Sequence, residues 1–181
     1  MKNGKYEGGV TRRRLLQTGG AAVAAGLAPR GARAAAGSQD PIIARLSAYM
    51  AEAANRPLPE PVAERCKQAI LDTLAAMISG SELPPGKIAL KFAAAYRGDN
   101  SATVAASNVL CGPVEAALAN GMLAHSDETD DTHPASLSHP GAAVVPAALA
   151  SGEKFGGSGE RFMRAVALGY DIGPRMTMTL G

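Results

Sequence analysis

Apolar residues recur at intervals of three and four along most of this sequence, and prolines separate the segments in which they do so. The clearest stripe contains Val62, Cys66, Ala69, Ile70, Leu74, Met77 and Ile78. Such spacing places side chains on one face of a helix, and no segment shows the sustained alternation typical of strands. The pattern therefore predicts an all-α fold, an antiparallel, bundle-like unit of helices.

Turn and capping residues set the expected helix boundaries. Asp40 and Pro41 predict a helix over 42–55, and the striped segment should end near Gly80. Further helices are predicted over 87–96, from Pro113 to about His125, from Pro140, and over 160–180 with Ser158 as its cap. We expect residues 84–86 to form a turn and residues 97–108 a loop with one short extended piece.

The composition limits the core and the cysteine chemistry. Aromatic residues make up 4% of the chain and tryptophan is absent, so Ala, Leu, Ile, Val and Met must supply the core. Cys66 and Cys111 are far apart, without the spacing of a metal knuckle. We expect both to be buried free thiols, with a disulfide as the alternative if the protein is exported.

The first 34 residues resemble an export signal. Seven of the 18 basic residues lie there, with Arg12 and Arg13 ahead of about ten apolar residues and an A-x-A site ending at Ala34. The paired arginines resemble a twin-arginine signal, which implies the corresponding export machinery as a partner and a periplasmic location. A basic, alanine-rich tail on a cytoplasmic protein is the alternative. The apolar stretch is too short for a stable membrane anchor.

The remainder of the chain carries the opposite charge. After residue 34, 11 basic residues face 15 acidic ones, which argues against a nucleic-acid partner. We expect residues 35–40 to be a linker and residues 41–181 to form the folded unit.

All three histidines fall in one acidic stretch, HSDETDDTHPASLSHPG, which contains His125, Asp127, Glu128, Asp130, Asp131, His133 and His139. If the preceding helix continues, His125, Glu128 and Thr132 share one face. Crowded carboxylates raise the proton affinity of at least one, which suits general acid or base catalysis. Two alternatives remain open at this point: a divalent-metal site and a solvated acidic loop.

Two of these histidines precede prolines. His139 lies directly before Pro140 and should flank the N-terminus of the next helix. His133 lies directly before Pro134, so the segment between the two prolines is predicted to be a stiffened loop that can hold a fixed group of side chains.

The segment ALANGMLAHSDETDDTHPASLSHPGAAVVPAALA resembles the signature region of the MmgE/PrpD (2-methylcitrate dehydratase) family. Weaker similarity extends through ILDTLAAMISG and GEKFGGSGERFMRAVALGYDIGPRM, so that the resemblance covers about 41–181. It implies the first part of a helical domain that is followed by an α/β domain in a homodimer. It also implies a metal-independent and cofactor-free lyase acting on a small polycarboxylate such as 2-methylcitrate or cis-aconitate.

The resemblance also assigns site residues. Glu128, Thr132 and His139 occupy positions that line the family's active site, so the resemblance implies that these three are catalytic. We assign substrate binding to the neighbouring His125, Asp131 and His133. Aspartate is usual where Glu128 stands, and an aromatic residue is usual where Thr129 stands. The longer carboxylate of Glu128 would shift the reacting group.

The region around the acidic stretch lacks the basic side chains that a polycarboxylate substrate needs. No lysine or arginine occurs from Gly98 to Glu153, although a tricarboxylate needs cationic partners. We therefore expect this chain to be the N-terminal part of a longer enzyme and to be inactive alone. The alternatives are a non-catalytic exported module that binds a carboxylate or a divalent cation, and a defective gene fragment.

Overall fold

The computed structural model describes residues 41–179. The chain divides into two units, Met1–Arg45 and Leu46–Gly181. The described part of the first unit is residues 41–45, which are helical. The core and the candidate site described below belong to the second unit. The sequence assignments to residues 1–34 and 35–40 lie outside the described residues.

Helices account for most of the described chain, which confirms the predicted all-α class. Two short strands, β1 (Ala102–Thr103) and β2 (Leu110–Cys111), pair antiparallel, with Ala102 opposite Cys111. A 3₁₀ turn covers Pro134–Ser136. Within residues 41–179, no helix has both the length and the apolar character needed to cross a bilayer. The α-helices are α1 (Pro41–Ala53), α2 (Glu60–Gly80), α3 (Pro84–Ala95), α4 (Pro113–Ala124), α5 (Pro140–Phe155) and α6 (Gly159–Met178).

Several of these helices begin with a proline in their first turn. Pro84 and Pro85 form the first turn of α3, so the prediction that residues 84–86 are a turn ahead of the helix was wrong. The first residues of a helix need no N–H partner within the helix, and the fixed φ of proline suits that position. Ser158 caps α6 as predicted, its hydroxyl oxygen accepting the Arg161 N–H.

Helix α4 lies among the other helices and packs against α2, α3 and α5, while α5 also packs against α6. The core consists largely of small side chains, which let the helix backbones approach closely. A Cβ atom on Gly80 would overlap the carbonyl oxygen of Leu123, so α2 and α4 meet at the level of their main chains. The fully buried alanines of α3 and α4 are Ala89, Ala93, Ala116, Ala119 and Ala124.

The buried face of α2 differs in detail from the predicted stripe. Cys66 and Met77 are buried as expected, but Ile78 is 61% exposed, and Thr73 and Ala76 are buried instead. Met77 faces the core, and the next residue along a helix points about 100° away from it. Thr73 tolerates burial because its hydroxyl donates a hydrogen bond to the Ala69 carbonyl oxygen at 2.8 Å.

Both cysteines are buried and unpaired, which confirms the expectation of free thiols. Burial raises the pKa of each thiol above its ordinary value, and at Cys111 the neighbouring Glu115 carboxylate adds to the effect. The thiolate is the nucleophilic form, so both side chains serve packing better than they would serve catalysis.

A buried amide joins the small sheet to α4. The Asn120 side chain accepts a hydrogen bond from the Ala105 N–H at 2.8 Å and donates one to the Thr103 carbonyl oxygen at 2.9 Å. The residue is fully buried, so both main-chain groups depend on it for a partner. Asn120 therefore fixes the loop that carries β1 onto the centre of the fold.

We expect Asn120→Ala to lower the free energy of unfolding by about 2 kcal/mol, because it leaves two partly buried main-chain groups without their partner. Urea denaturation followed by circular dichroism measures the change. The exposed Asn108, replaced in the same way, serves as the control and should change stability little. Equal losses for the two variants would contradict the role given to the buried amide.

Candidate functional site

The acidic stretch begins where α4 ends. His125 is the C-terminal cap of α4, and Glu128 adopts a left-handed backbone with φ of 56°. The helix therefore ends near His125 as predicted, and the continuation that would have placed His125, Glu128 and Thr132 on one face does not occur. Hydrogen bonds from the Thr129 N–H and hydroxyl to the Asp127 carboxylate replace the helical pattern, as short polar side chains often do at helix ends.

Asp127 anchors the start of this loop to α2. Its carboxylate accepts hydrogen bonds from the hydroxyls of Ser79 and Thr129. These bonds, led by the one from Ser79, hold the pKa of Asp127 below its ordinary value. The crowding of carboxylates was expected to raise the proton affinity of at least one of them, and at Asp127 the hydrogen bonds produce the opposite effect.

Beyond this anchor, His125, Asp130 and His139 come together, and we call these three residues the histidine–aspartate cluster. The Nδ1 atom of His125 lies 3.1 Å from each carboxylate oxygen of Asp130. The Nδ1 atom of His139 lies 3.8 Å from Oδ1 of the same carboxylate, and the two imidazole rings are 5.2 Å apart between centroids. Residues 14 positions apart in sequence thus share one carboxylate.

Burial differs sharply within the cluster. The Asp130 side chain is 0% exposed, whereas those of His125 and His139 are 52% and 40% exposed. Within residues 41–179, the ion-pair partners of Asp130 are these two imidazoles, and no lysine or arginine pairs with it. The carboxylate is therefore a fixed, buried group, and the two rings above it are open to small molecules.

Asp131 points the other way and holds the N-terminus of α5. Its Oδ1 atom accepts the Gly141 N–H at 2.8 Å, and its main-chain carbonyl oxygen accepts the Nδ1–H of His139 at 2.9 Å. The carboxylate lies at the positive end of the helix dipole, where a negative charge is stabilising. His139 is the N-cap residue of α5, as predicted, so one aspartate fixes both the helix and its flanking histidine.

Three oxygen atoms crowd around Gly141. A Cβ atom at this position would lie 2.6 Å from Oδ1 of Asp131, 2.7 Å from the Thr73 hydroxyl and 2.8 Å from the Tyr170 hydroxyl. The Tyr170 hydroxyl is buried without a well-formed hydrogen bond among the described residues. Burial, and then the neighbouring Asp131 carboxylate, raise the pKa of Tyr170 well above its ordinary value. The hydroxyl therefore stays protonated and can donate a hydrogen bond.

His133 belongs to a separate small network. Its Nδ1 atom lies 2.7 Å from the Ser136 hydroxyl, which in turn lies 2.7 Å from the Ser138 hydroxyl. The main-chain N–H of His133 donates to the Ser138 carbonyl oxygen at 2.9 Å. The segment between the two prolines is thus closed on itself, and its hydrogen bonds turn His133 toward its own loop.

The remaining two predicted residues lie outside both networks. Glu128 and Thr132 are exposed, and within residues 41–179 neither side chain has a hydrogen-bond partner. The structure therefore brings together His125 and His139 of the six predicted residues and joins Asp131 to His139 through its main-chain carbonyl oxygen. It leaves Glu128 and Thr132 at the surface of the same loop.

Sequence reasoning missed two members of this region. Asp130 was not separated from its neighbour Asp131, although both belong to the DD pair of the motif. Tyr170 lies in α6, 31 residues after His139, and no local pattern links it to the acidic stretch. A signal for Asp130 existed in the paired aspartates, but sequence alone does not tell which of the two points inward.

An open groove between α2 and α6 is a weaker candidate for a catalytic site than the histidine–aspartate cluster. Its volume is about 770 Å³, and its polar side chains include Arg65, Asp72 and Tyr170. Cys66 also lines it, with a pKa raised by burial, so it is a poor nucleophile at neutral pH. The histidine–aspartate cluster is therefore the better candidate site, since each ring has a fixed Nδ1 atom and a second nitrogen able to exchange a proton.

Comparison with known proteins gives one family. A model of the MmgE/PrpD N-terminal domain matches residues 44–181. The cis-aconitate decarboxylase-like protein oryM of Aspergillus oryzae is 30% identical over 142 residues, which cover 75% of this chain and 30% of that protein. A cis-aconitate decarboxylase of Aspergillus terreus is 26% identical over 140 residues, covering 75% of this chain and 29% of that enzyme.

A third relative adds a shorter but closer match. The cis-aconitate decarboxylase of Homo sapiens is 38% identical over 98 residues, which cover 53% of this chain and 20% of that enzyme. The chain thus spans less than a third of the length of each of these three relatives.

The crowding at Gly141 leads to a prediction with an internal control. We expect Gly141→Ala to lower the free energy of unfolding by about 2 kcal/mol, because the added methyl group must displace the Asp131 cap or the Tyr170 hydroxyl. Gly152 lies in the same helix with no atom within 4 Å of an added Cβ. There, the same substitution should stabilise by about 0.5–1 kcal/mol through helix propensity. Thermal denaturation of both variants checks the opposite signs, and two changes of the same sign would contradict the packing described.

Proposed function

Because the chain belongs to the MmgE/PrpD N-terminal domain family, we propose that it supplies one wall of the active site of a lyase acting on a small polycarboxylate such as cis-aconitate or 2-methylcitrate. The observation that carries the proposal is the pair of exposed imidazoles, His125 and His139, fixed above a buried carboxylate at the start of α5. Support also comes from the relatives, whose names specify cis-aconitate decarboxylase or a protein like it.

The chemistry of this class requires movement of a proton beside a carbon that a carboxylate stabilises. In a dehydration, a base removes that proton, and an acid protonates the departing hydroxyl group so that it leaves as water. In a decarboxylation, the carbon–carbon bond breaks with loss of carbon dioxide, and an acid protonates the carbon that retains the electron pair. A positioned histidine serves either direction, and such groups typically contribute 10²–10⁴-fold to the rate.

His139 is the residue to which we assign this proton transfer. Its Nδ1–H is committed to the Asp131 carbonyl oxygen, so the other ring nitrogen is left to face a substrate. We assign the exposed Thr132 and Glu128 to direct contact with the substrate at the same surface. We assign substrate binding to three further residues of this wall. His125 lies beside His139, and Asp131 and His133 hold the loop in place through their hydrogen bonds.

The charge of this wall requires partners from elsewhere in the protein. The segment from Gly98 to Glu153 contains four aspartates or glutamates in its acidic loop and no lysine or arginine. A tricarboxylate would be repelled here unless cationic side chains faced the wall. We therefore propose a homodimeric enzyme of greater length that needs no cofactor for turnover, and we expect no turnover from the 181-residue chain by itself.

We also propose that the protein is exported. The proposal depends on the sequence of residues 1–34, which lie outside the described residues, and on the difference in charge between that segment and the rest of the chain. A folded protein carrying paired arginines at positions 12 and 13 is a substrate of the twin-arginine route.

Activity is tested with the protein made from the whole reading frame that contains this chain. With cis-aconitate or 2-methylcitrate as the substrate, consumption should be observed by proton NMR, and His139→Ala should lower kcat by at least about 10²-fold. Ser151→Ala, at the exposed far end of α5, is the control and should keep the full rate. Undiminished turnover by the His139 variant, or none by the parent protein with either acid, would refute the proposal.

Export is tested separately with a cytoplasm-folding reporter fused after Gly37. Cell fractionation should find the reporter in the periplasm, and replacement of Arg12 and Arg13 by lysine should retain it in the cytoplasm. Arg30 and Arg33, replaced by lysine in the same way, keep the charge pattern and should leave export intact. Export that survives the first replacement would disprove the twin-arginine assignment.

A further inference from the structure

We propose that His125, Asp130 and His139 form a binding site for one divalent transition-metal ion, with Zn²⁺ the ion that suits it best. One ring nitrogen from each histidine and one carboxylate oxygen of Asp130 all lie within 4.8 Å of one another. The proposal goes beyond the lyase activity and does not depend on it, since metal binding is measured without turnover.

The buried charge of Asp130 favours a bound cation. Its side chain is completely buried, and within residues 41–179 it has no lysine or arginine partner. Burial of a carboxylate is costly unless an opposite charge or several hydrogen bonds compensate it. Asp127, Glu128 and Asp131 add further negative charge on the same loop, so the surroundings favour a bound cation.

The spacing of the ligand atoms in the histidine–aspartate cluster suits a zinc ion. Ligand atoms around a tetrahedral zinc ion are about 3.3 Å apart, given bonds of about 2.0–2.1 Å. The separation of 3.1 Å between Nδ1 of His125 and the Asp130 oxygens already matches this value. His139 would bind the ion through its other ring nitrogen, Nε2, because its Nδ1–H is donated to the Asp131 carbonyl oxygen at 2.9 Å. The buried Asp130 carboxylate is the fixed point of the site, and the exposed ring of His139 adjusts to it.

The residues that surround the three ligands also suit a metal site. Histidines that bind metals usually donate their other ring N–H to a carboxylate or a main-chain carbonyl, which fixes the orientation of the ring. His139 already has such a partner in the Asp131 carbonyl oxygen at 2.9 Å. Asp131 is itself held by the Gly141 N–H, so the support extends into α5.

The ligand set selects the kind of ion. Two imidazoles and one carboxylate suit Zn²⁺ and related transition metals, whereas Mg²⁺ and Ca²⁺ prefer oxygen ligands. Three protein ligands leave at least one coordination position open, and the exposure of the two rings places that position at the surface. A bound ion would occupy His139 and should therefore inhibit the proposed lyase.

The test is equilibrium dialysis and titration calorimetry with Zn²⁺, on protein made without a histidine tag. We expect one ion per chain, with affinity at least about 10-fold weaker in His125→Ala, His139→Ala and Asp130→Asn. His133→Ala is the matched control, because His133 is the one remaining histidine and bonds to Ser136 instead. Its affinity should equal that of the parent protein. Mg²⁺ should not displace the ion at equal concentration.

Each outcome decides the proposal. Absence of Zn²⁺ binding below millimolar concentration would overturn it, as would an equal loss of affinity in the His133 variant. Circular dichroism establishes whether Asp130→Asn folds, and if it does not, the two exposed histidines supply the answer. A protein that binds Zn²⁺ but shows no lyase activity would support this site and reject the proposed function, and the reverse result would do the opposite.

Discussion

The arrangement of the candidate site depends on the contact between Asp131 and the first turn of α5. The carboxylate accepts the Gly141 N–H, and the carbonyl oxygen of the same residue accepts the Nδ1–H of His139. A helix end that lacks such an acceptor leaves main-chain donors unsatisfied. Asp131 lies in the preceding loop, so its two hydrogen bonds hold that loop against the start of α5. The neighbouring Asp130 is held in its buried position by the same contacts. His125 joins the arrangement through Asp130, so the cluster follows from the capping of one helix.

The helices of this protein could be predicted, and the site could be predicted only in part. Prolines at the helix starts and apolar spacing fixed six helices to within a few residues, apart from α3, where Pro84 and Pro85 lie inside the helix. The loop after Ala124 follows other rules. Its path depends on the left-handed backbone at Glu128 and on hydrogen bonds to Asp127, which compete with helix continuation and leave no periodic signal.

Two adjacent aspartates show what sequence could not resolve. Asp130 faces two imidazoles and is fully buried, while Asp131 faces the N-terminus of α5. Their chemistry is identical, and the difference arises from tertiary packing alone. The motif predicted that both aspartates lie near the site. It could not predict that Tyr170, which is far away in sequence, also reaches this region from α6. The sequence motif therefore identifies the segment that carries the functional side chains, and tertiary packing determines the contacts of each side chain within it.

The alanine-built interior has a consequence for how such a protein can change over time. At Ala89, Ala93, Ala116 and Ala119 the side chain is already the smallest that has a Cβ, and none of it is exposed. Nearly every replacement adds volume between backbones that already touch, and added volume in a packed interior costs about 1–3 kcal/mol. An alanine can lose volume only by becoming glycine, so these positions cannot shrink to make room for a larger neighbouring side chain. Replacements that leave the fold intact are thereby confined largely to its exposed surface.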